Sequence, residues 1–482
     1  MLADTVIVWL RRDLRIEDNP ALTFALERFR AVVLLYVYSP SEEAPWQPGS
    51  ASNWWLHHSL RAFIKSIARY NVRLLIRQGN SLDAILKISN QTGAKAVFWN
   101  RLYEPMSVKR DNHVNAQLQA NGLETATFNG ALLKEPWEIS KADGSMYRVF
   151  TPFSRQYLDD PVVRPLHPEP HSMVCGSGEL KSMSVEDLKL LPAKTWCSRF
   201  ADLWQPGEEG AMNQMNRFLD GALTGYDEGR NIPSIEGVSM LSAHLHFGEL
   251  SPVQVWHAAR FQADSERGYS SGASLSEEKP YLKQLVWRDF AHHILFHLPH
   301  TVDQPFNEKF AGFQWESNPA FLDAWKKGMT GIPLVDAGMR QLWQTGWMHN
   351  RIRMLVASVL TKNGLVHWQE GAQWFWDTLV DADLANNSMG WQWTAGCGVD
   401  AAPYFRVFSP TRQGQRFDPM GEYVRKWVPE LESVPNKFIH EPWMWPDFSA
   451  KSYPRPIVDL SESRKRALEK YKLLRSTGQT FN

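Results

Sequence analysis

Between Asp381 and Pro410 the chain reads DADLANNSMGWQWTAGCGVDAAPYFRVFSP. Acids (Asp381, Asp383), paired amides (Asn386, Asn387), indoles (Trp391, Trp393) and a guanidinium (Arg406) crowd into this stretch. No packing period explains that density, so it is a candidate floor for a buried ligand site. Two other segments put polar groups on one helical stripe. Gln284, Trp287 and Arg288 stand at i, i+3 and i+4, and Asn350, Arg353 and Met354 repeat the spacing. Asp381 and Asp383 lie two apart and face different ways, which argues against a glycosidase-type carboxylate dyad. His292, His293, His297 and His300 have the look of a metal cluster, yet they lack the glutamate of H-E-x-x-H in an otherwise apolar helix, and no metal is expected. Ser239 and Ser242 in VSMLSAH follow a glycine and precede a helical run. That is an N-cap pattern, able either to cap alone or to present hydroxyls and N–H groups to a phosphate.

The elements that must carry these groups fall into two kinds. Short β-branched or aliphatic runs at 5–10, 31–37, 72–77, 95–99 and 124–128 alternate with amphipathic segments such as 54–70 and 81–92. This is the pattern of a parallel sheet with helices on both faces. The turn after the first run, RRDLRIEDNP, has no G-x-G-x-x-G, so a dinucleotide in the usual phosphate turn is not indicated. Arg11, Asp13, Arg15 and Asp18 either line a crevice beyond the strand ends or form a solvated charged loop. From 131 to 207 periodicity fades into Pro, Ser and Gly, which reads as a surface connector. Beyond 208 nearly every segment has helical spacing: 211–223, 251–262, 278–298, 320–327, 334–345, 349–361 and 368–377, with a basic helix over 461–475. The expected organisation is an α/β domain over 1–130, a linker over 131–207 and a helical domain over 208–475.

The bulk composition narrows the function classes. With 52 basic and 52 acidic residues the chain has no global positive field, so any nucleic-acid face must be a local arginine patch. Cys175, Cys197 and Cys397 have no CxxC spacing and fit a reducing cytosol. No apolar run is long enough to span a bilayer, and a signal peptide is not expected. These features point to a soluble, cytoplasmic protein without a membrane partner, expected to be a monomer. Trp, at 22 residues, outnumbers both Tyr and Met, a supply of indole that suits stacking and electron transfer as well as packing.

On its motifs the chain resembles the DNA photolyase and cryptochrome family over nearly its whole length. WLRRDLRIEDNPAL is similar to the family's N-terminal signature, and YDEGRNIPSIEGVSMLSAHLHFGELSP to its flavin-phosphate segment. TGWMHNRIRM, DADLANNSMGWQW and DAAPYFRVFSP resemble its flavin and substrate core, most like the cyclobutane pyrimidine dimer photolyases. WNRLYEPMSVKRD has some similarity to the plant cryptochrome-related class. The resemblance implies an α/β N-terminal domain with a parallel five-stranded, Rossmann-like sheet and an all-α C-terminal domain that holds FAD. It implies that Tyr226, Ser239, Leu241 and Ser242 hold the FAD phosphates and that Arg288 and Trp347 pack along the cofactor. Asp381 would pair with Arg353, Asp383 would anchor the polar edge of the ring, and Asn387 would hydrogen-bond flavin N5. Trp391, Trp368 and Trp315 match the family's electron-transfer chain. Arg230, Arg351, Arg406 and Arg412 would form the face for UV-damaged DNA, with Trp287 and Trp393 as apolar walls for a flipped-out lesion. A second antenna chromophore (a folate, a deazaflavin or a flavin) in the N-terminal domain is compatible with the stacking groups of PWQPGSASNWWLHHSL.

One position departs from the pattern. Dimer photolyases have a glutamate where this chain has Gln284, and an amide can donate a hydrogen bond but cannot give up a proton. The loss is about 1 kcal/mol on hydrogen-bond arithmetic, which implies weakened dimer repair. Glutamine here is shared with (6-4) photolyases, but their two proton-transferring histidines correspond to Asn350 and Met354, so the pocket is of the dimer type. The alternative reading is a cryptochrome-like flavin photoreceptor with little repair activity.

Overall fold

A computed structural model describes residues 4–159, 163–192, 195–267, 278–401 and 405–477. Packing divides the chain into two compact units. The first comprises 1–195, 204–224 and 239–299, and the second 196–203, 225–238 and 300–482. The division into 1–130, 131–207 and 208–475 remains a proposal about secondary-structure type.

In the first unit, β1 (Thr5–Leu10), β2 (Ala31–Tyr38), β3 (Leu74–Gln78), β4 (Ala96–Asn100) and β5 (Glu124–Phe128) form one sheet in the order β3-β2-β1-β4-β5. All pairs are parallel, with Val6 opposite both Val32 and Ala96. Every residue of β1 is buried, which is why the run shows no alternation: helices cover both faces. The connecting helices are α1 (Pro20–Arg28), α2 (Ser50–Ala68), α3 (Ser81–Thr92) and α4 (Pro105–Ala120). Their starts are written locally. Asn19 caps α1 by accepting from Leu22 N, Asn80 caps α3 through Asp83 N, and Pro stands at the start of α1 and α4.

The charged turn after β1 fits neither reading offered by the sequence. Arg11, Asp13, Arg15 and Asp18 are at most 7% exposed, so they are neither a solvated loop nor an open crevice. Arg11 Nη1 donates to both Asp111 oxygens at 3.0 Å, and Asp13 Oδ2 accepts from Asn100 at 2.7 Å. Arg15 bonds the carbonyls of Asp18, Gly130 and Gly248. These charges fill the space beyond the strand ends between β1 and β4, where the strand order reverses, and lock the loops there.

The connector is also more deeply packed than its composition implies. It contains α5 (Phe150–Leu158), whose Phe150, Phe153 and Tyr157 are buried. The helix Lys279–His297 receives them: Phe153 lies 5.0 Å from both Phe290 and His293. The histidines of that helix fasten the connector. His293 Nδ1 lies 3.1 Å from Pro136 O while its Nε2 accepts from Tyr147 N, and His297 Nε2 also reaches Pro136 O. Burial pushes His293 down to about 4, which keeps it neutral and fit for both bonds.

The second unit is helical, and a buried acid holds part of it. Asp336, in helix Pro333–Thr345, accepts from Thr330 N at 2.8 Å, Thr330 Oγ1 at 2.6 Å, Gly331 N at 2.9 Å and the Tyr453 hydroxyl. Removing it strands four donors in the core. Asp336→Ala is therefore expected to lose about 3 kcal/mol or more of stability in urea unfolding, and a loss below about 1 kcal/mol would contradict this account.

Candidate functional site

In the second unit the opening stretch becomes a loop and a helix, Leu384–Ala395. Asp383 is its N-cap: Oδ1 accepts from Asn386 N at 2.9 Å and Asn386 Nδ2 at 2.7 Å, and the charge complements the helix N-terminus. Two residues earlier, Asp381 receives Arg353 Nη2 at 3.1 Å on Oδ1 and 2.8 Å on Oδ2. The expected Asp381–Arg353 pair is thus formed. Arg353 Nε donates to Met348 O at 2.7 Å, and its guanidinium lies 5.9 Å from the buried Trp347 ring. The helix that presents Arg353, Asn350–Ser358, is capped by His349, whose Nδ1 accepts from Arg351 N. Burial, with Arg351 and Arg353 adding to it, pushes His349 down to about 4 and keeps that nitrogen an acceptor.

Asn387 is half-buried, and its Nδ2 donates to Ala372 O at 3.0 Å. A carbonyl can only accept, so the amide orientation is fixed and the acceptor Oδ1 turns the other way. Asn350 Nδ2 lies 3.9 Å from Met354 Sδ, one turn apart. Tyr226 is buried, and desolvation pushes its phenol up to about 12.

The three residues of WQW point three ways, as successive helical positions must. Trp391 turns inward, 5.0 Å from Phe375 and 6.1 Å from Trp325. Gln392 clamps the segment 301–306, donating to Thr301 O and Gln304 O and accepting from Phe306 N. Trp393 is half-buried and donates to Asp400 O at 3.1 Å. Trp368 is fully buried, and His367 lies between it and the half-buried Trp315, with ring centroids 5.7 Å and 5.2 Å away respectively. Of the last motif, Ala402, Pro403 and Tyr404 lie outside the described residues.

The arginines gather, with one change from expectation. Arg351 donates through Nε and Nη2 to Asn231 Oδ1 and lies 4.8 Å over Phe417, while Arg416 covers the same ring at 5.1 Å. Burial, then Arg230, Arg416 and Arg406, hold Arg351 below the ordinary guanidinium value. Arg416, one turn after Arg412 on helix Pro410–Phe417, is the cluster member the sequence reading missed. Arg230 pairs with Asp227 at 3.1 Å, and its Nε is buried without a hydrogen-bond partner among the described residues. Four cations thus lie close enough to feel one another's charge, an arrangement that an anion would relieve.

The remaining candidates belong to the first unit. Gln284, Trp287 and Arg288 share a stripe of helix Lys279–His297. Gln284 Nε2 donates to Pro280 O at 3.0 Å, Arg288 Nη1 donates to Ala131 O, and Trp287 stacks on Phe150. The capping reading of Ser239 and Ser242 does not hold. Ser242 is the first residue of the short helix Ser242–Phe247, and the cap position is Leu241, whose side chain makes no cap bond. Ser239 contributes its carbonyl to Gln214 Nε2 at 2.9 Å.

Two matches then define the class. Residues 6–171 match the family model described as DNA photolyase, and residues 281–473 match that of the FAD binding domain of DNA photolyase. The chain belongs to the DNA photolyase family, in which cryptochromes are also found among its relatives. It is 43% identical to a deoxyribodipyrimidine photo-lyase of Agrobacterium fabrum over 98% of both chains. It is 36% identical to cryptochrome-1 of Arabidopsis thaliana over 96% of this chain and 69% of that protein. The crystal structure of a class III photolyase from Agrobacterium tumefaciens superposes with a TM-score of 0.93 at 42% identity, covering 99% and 98% of the two chains. An archaeal photolyase from Sulfolobus tokodaii, solved with two FAD molecules, superposes at 0.81 with 28% identity, covering 97% and 100%. Among the described residues no helix is long and apolar enough to cross a membrane.

Two neighbours of the site give direct tests. A Cβ on Gly371 would lie 2.0 Å from the Trp391 ring, so only glycine lets this indole sit where it does. Gly371→Ala is expected to displace Trp391, costing about 1–3 kcal/mol of stability in urea unfolding. Unchanged stability would contradict the contact.

Lys362 sits in one π-helical turn, Val359–Asn363, over the Phe405 ring at 4.6 Å and bonded to Arg406 O. Burial lowers its pKa to about 7. Between about pH 7 and the ordinary lysine value near 10.4, the unfolded chain holds a proton that the folded chain has shed, so this group makes stability rise with pH. Lys362→Met should remove that part of the rise. Parallel stability curves for the two proteins from pH 7 to 10 would contradict the assignment.

Proposed function

We propose that the protein repairs cyclobutane pyrimidine dimers in DNA under blue light, with FAD as cofactor and the activity weakened by Gln284. When bound, reduced flavin supplies the chemistry, a photoexcited electron that splits the cyclobutane and is afterwards returned. The observation that carries the reading is the fixed Asp381–Arg353–Asn387 set beside a four-arginine cluster in one compact unit.

The residues fit such a cofactor. An immobilised ion pair suits the polar edge of an isoalloxazine, and the fixed Oδ1 of Asn387 suits an N–H at flavin N5. Tyr226, Ser239, Leu241 and Ser242 are proposed for the phosphates, Arg288 and Trp347 for packing, and Asp383 for the ring edge. Arg230, Arg351, Arg406 and Arg412, now with Arg416, would bind DNA phosphates and make affinity fall with salt. Trp287 and Trp393 would stack on the extruded bases, at about 1–3 kcal/mol per base. Trp391, Trp368 and Trp315 run from buried to half-exposed, the order needed to draw electrons inward from the surface. Location in the cytoplasm and a monomeric state belong to the same proposal. So does a second chromophore in the α/β region, a folate, deazaflavin or flavin, supported by the two FAD molecules of the archaeal neighbour.

A second reading is a cryptochrome-like photoreceptor. What favours it is Gln284, whose amide nitrogen is engaged by Pro280 O within its own helix. For (6-4) repair the two positions that would need histidine are Asn350 and Met354, which disfavours that chemistry.

The test compares wild type with Gln284→Glu on a dimer-containing oligonucleotide under blue light. Light-dependent loss of dimers in both, faster by roughly tenfold or less in the variant, is expected from about 1 kcal/mol of hydrogen-bond difference. No loss in either protein, with normal flavin photoreduction, would reject repair in favour of the receptor.

A further inference from the structure

Trp287 does not hold its orientation by itself. Phe150, at the start of α5, lies against it with ring centroids 3.4 Å apart and planes 6° from parallel, and Phe150 is itself 2% exposed. One face of the indole is therefore covered by a buried ring, and the half-buried Trp287 presents what remains. Phe150 is kept there from the opposite side of the same helix. Asp289 Oδ2 accepts from Leu133 N at 3.0 Å, Lys134 N at 3.1 Å and the Tyr157 hydroxyl at 3.2 Å. Those donors lie at the start of the connector and in the last turn of α5, so one carboxylate ties both to the helix that carries Trp287. Phe290 adds edge contacts to both rings, 5.6 Å from Phe150 and 5.8 Å from Trp287. A fully desolvated acid is an expensive anchor, and burial pushes Asp289 up to about 6. Its Oδ1 is buried without a hydrogen-bond partner among the described residues.

We infer that Phe150 and Asp289 are positioning residues for Trp287, fixing the plane on which the flipped-out dimer stacks. This rests on the reading of Trp287 as a wall of the lesion site. Neither residue touches the lesion. Phe150 acts by face contact, and Asp289 acts by holding α5 and residues 133–134 against the helix. A stack with no rotational freedom spares the bound lesion the cost of ordering the indole. The connector, which reads as a plain linker, thereby becomes part of how damaged DNA is distinguished from undamaged.

The test uses the flavin-loaded full chain and measures affinity for a dimer-containing and an undamaged oligonucleotide of the same sequence. Phe150→Leu should weaken binding of the dimer strand roughly threefold to tenfold, the worth of an aromatic pair, with undamaged affinity and flavin content unchanged. Phe150→Tyr should restore it, and Asp289→Asn should show the same selective loss as Phe150→Leu. Should Phe150→Leu unfold, Asp289→Asn alone decides. Equal loss on both oligonucleotides, or none on either, would overturn the positioning role. Trp287→Ala separates the two levels. If it removes dimer preference while Phe150→Leu and Asp289→Asn do not, only the positioning idea fails. If it leaves dimer preference intact, the reading of Trp287 fails and takes the proposal with it.

Discussion

The ion pair between Asp381 and Arg353 is the interaction on which the candidate site depends. It joins helix Asn350–Ser358 to the loop that starts helix Leu384–Ala395, and both elements present candidate site residues at their N-terminal ends. Asp381 is only 8% exposed, so the pair exists at a desolvation cost that its geometry must offset. Arg353 meets that condition by spending a second nitrogen on Met348 O. Loss of Arg353 would take the ion-pair partner from a buried carboxylate, and loss of either residue would free the helix starts that hold Asn350, Arg351, Asn386 and Asn387. A charged pair of this kind is better suited to fixing one arrangement than to adding stability.

Around that pair the structure trades polarity for rigidity. The amide of Asn387 is turned by Ala372 O, the indole of Trp391 is admitted by Gly371, and the loop at 405–406 is tied down by Lys362. Such arrangements need glycine, a neutral histidine or a buried lysine, residues whose value lies in where they are held. The same logic appears in the first unit, where Asp289 and two histidines fasten the connector to helix Lys279–His297.

Much of this was readable in the sequence. The five strands show because continuous burial leaves uninterrupted apolar runs, and the helices show because their caps and prolines are local. The Asp381–Arg353 pair followed from resemblance, since no spacing rule links positions 28 apart. What escaped is non-local. The turn at 11–18 reads as an open crevice or a solvated loop because charge is normally exposed, and only the partners Asp111, Asn100 and Gly130 explain its burial. Ser239 and Ser242 match a cap pattern, but the helix begins at Ser242 itself, one residue too early for Ser242 and two too late for Ser239 to be the cap. α5 was lost because proline-rich flanks dilute a stripe only three aromatics long, and Arg416 because membership of a charge cluster is set by tertiary packing.

A repair enzyme differs from a receptor in what becomes of the electron. In repair it returns, so one round of flavin reduction serves many lesions; in a sensor it has no lesion to visit. The most direct measurement counts dimers split per protein molecule under blue light, without oxygen and with no reductant beyond the first reduction. Many intact pyrimidine pairs restored per protein, with the flavin still reduced at the end, is the result this account predicts. At most one per protein, or flavin oxidised in step with the dimers lost, would contradict it.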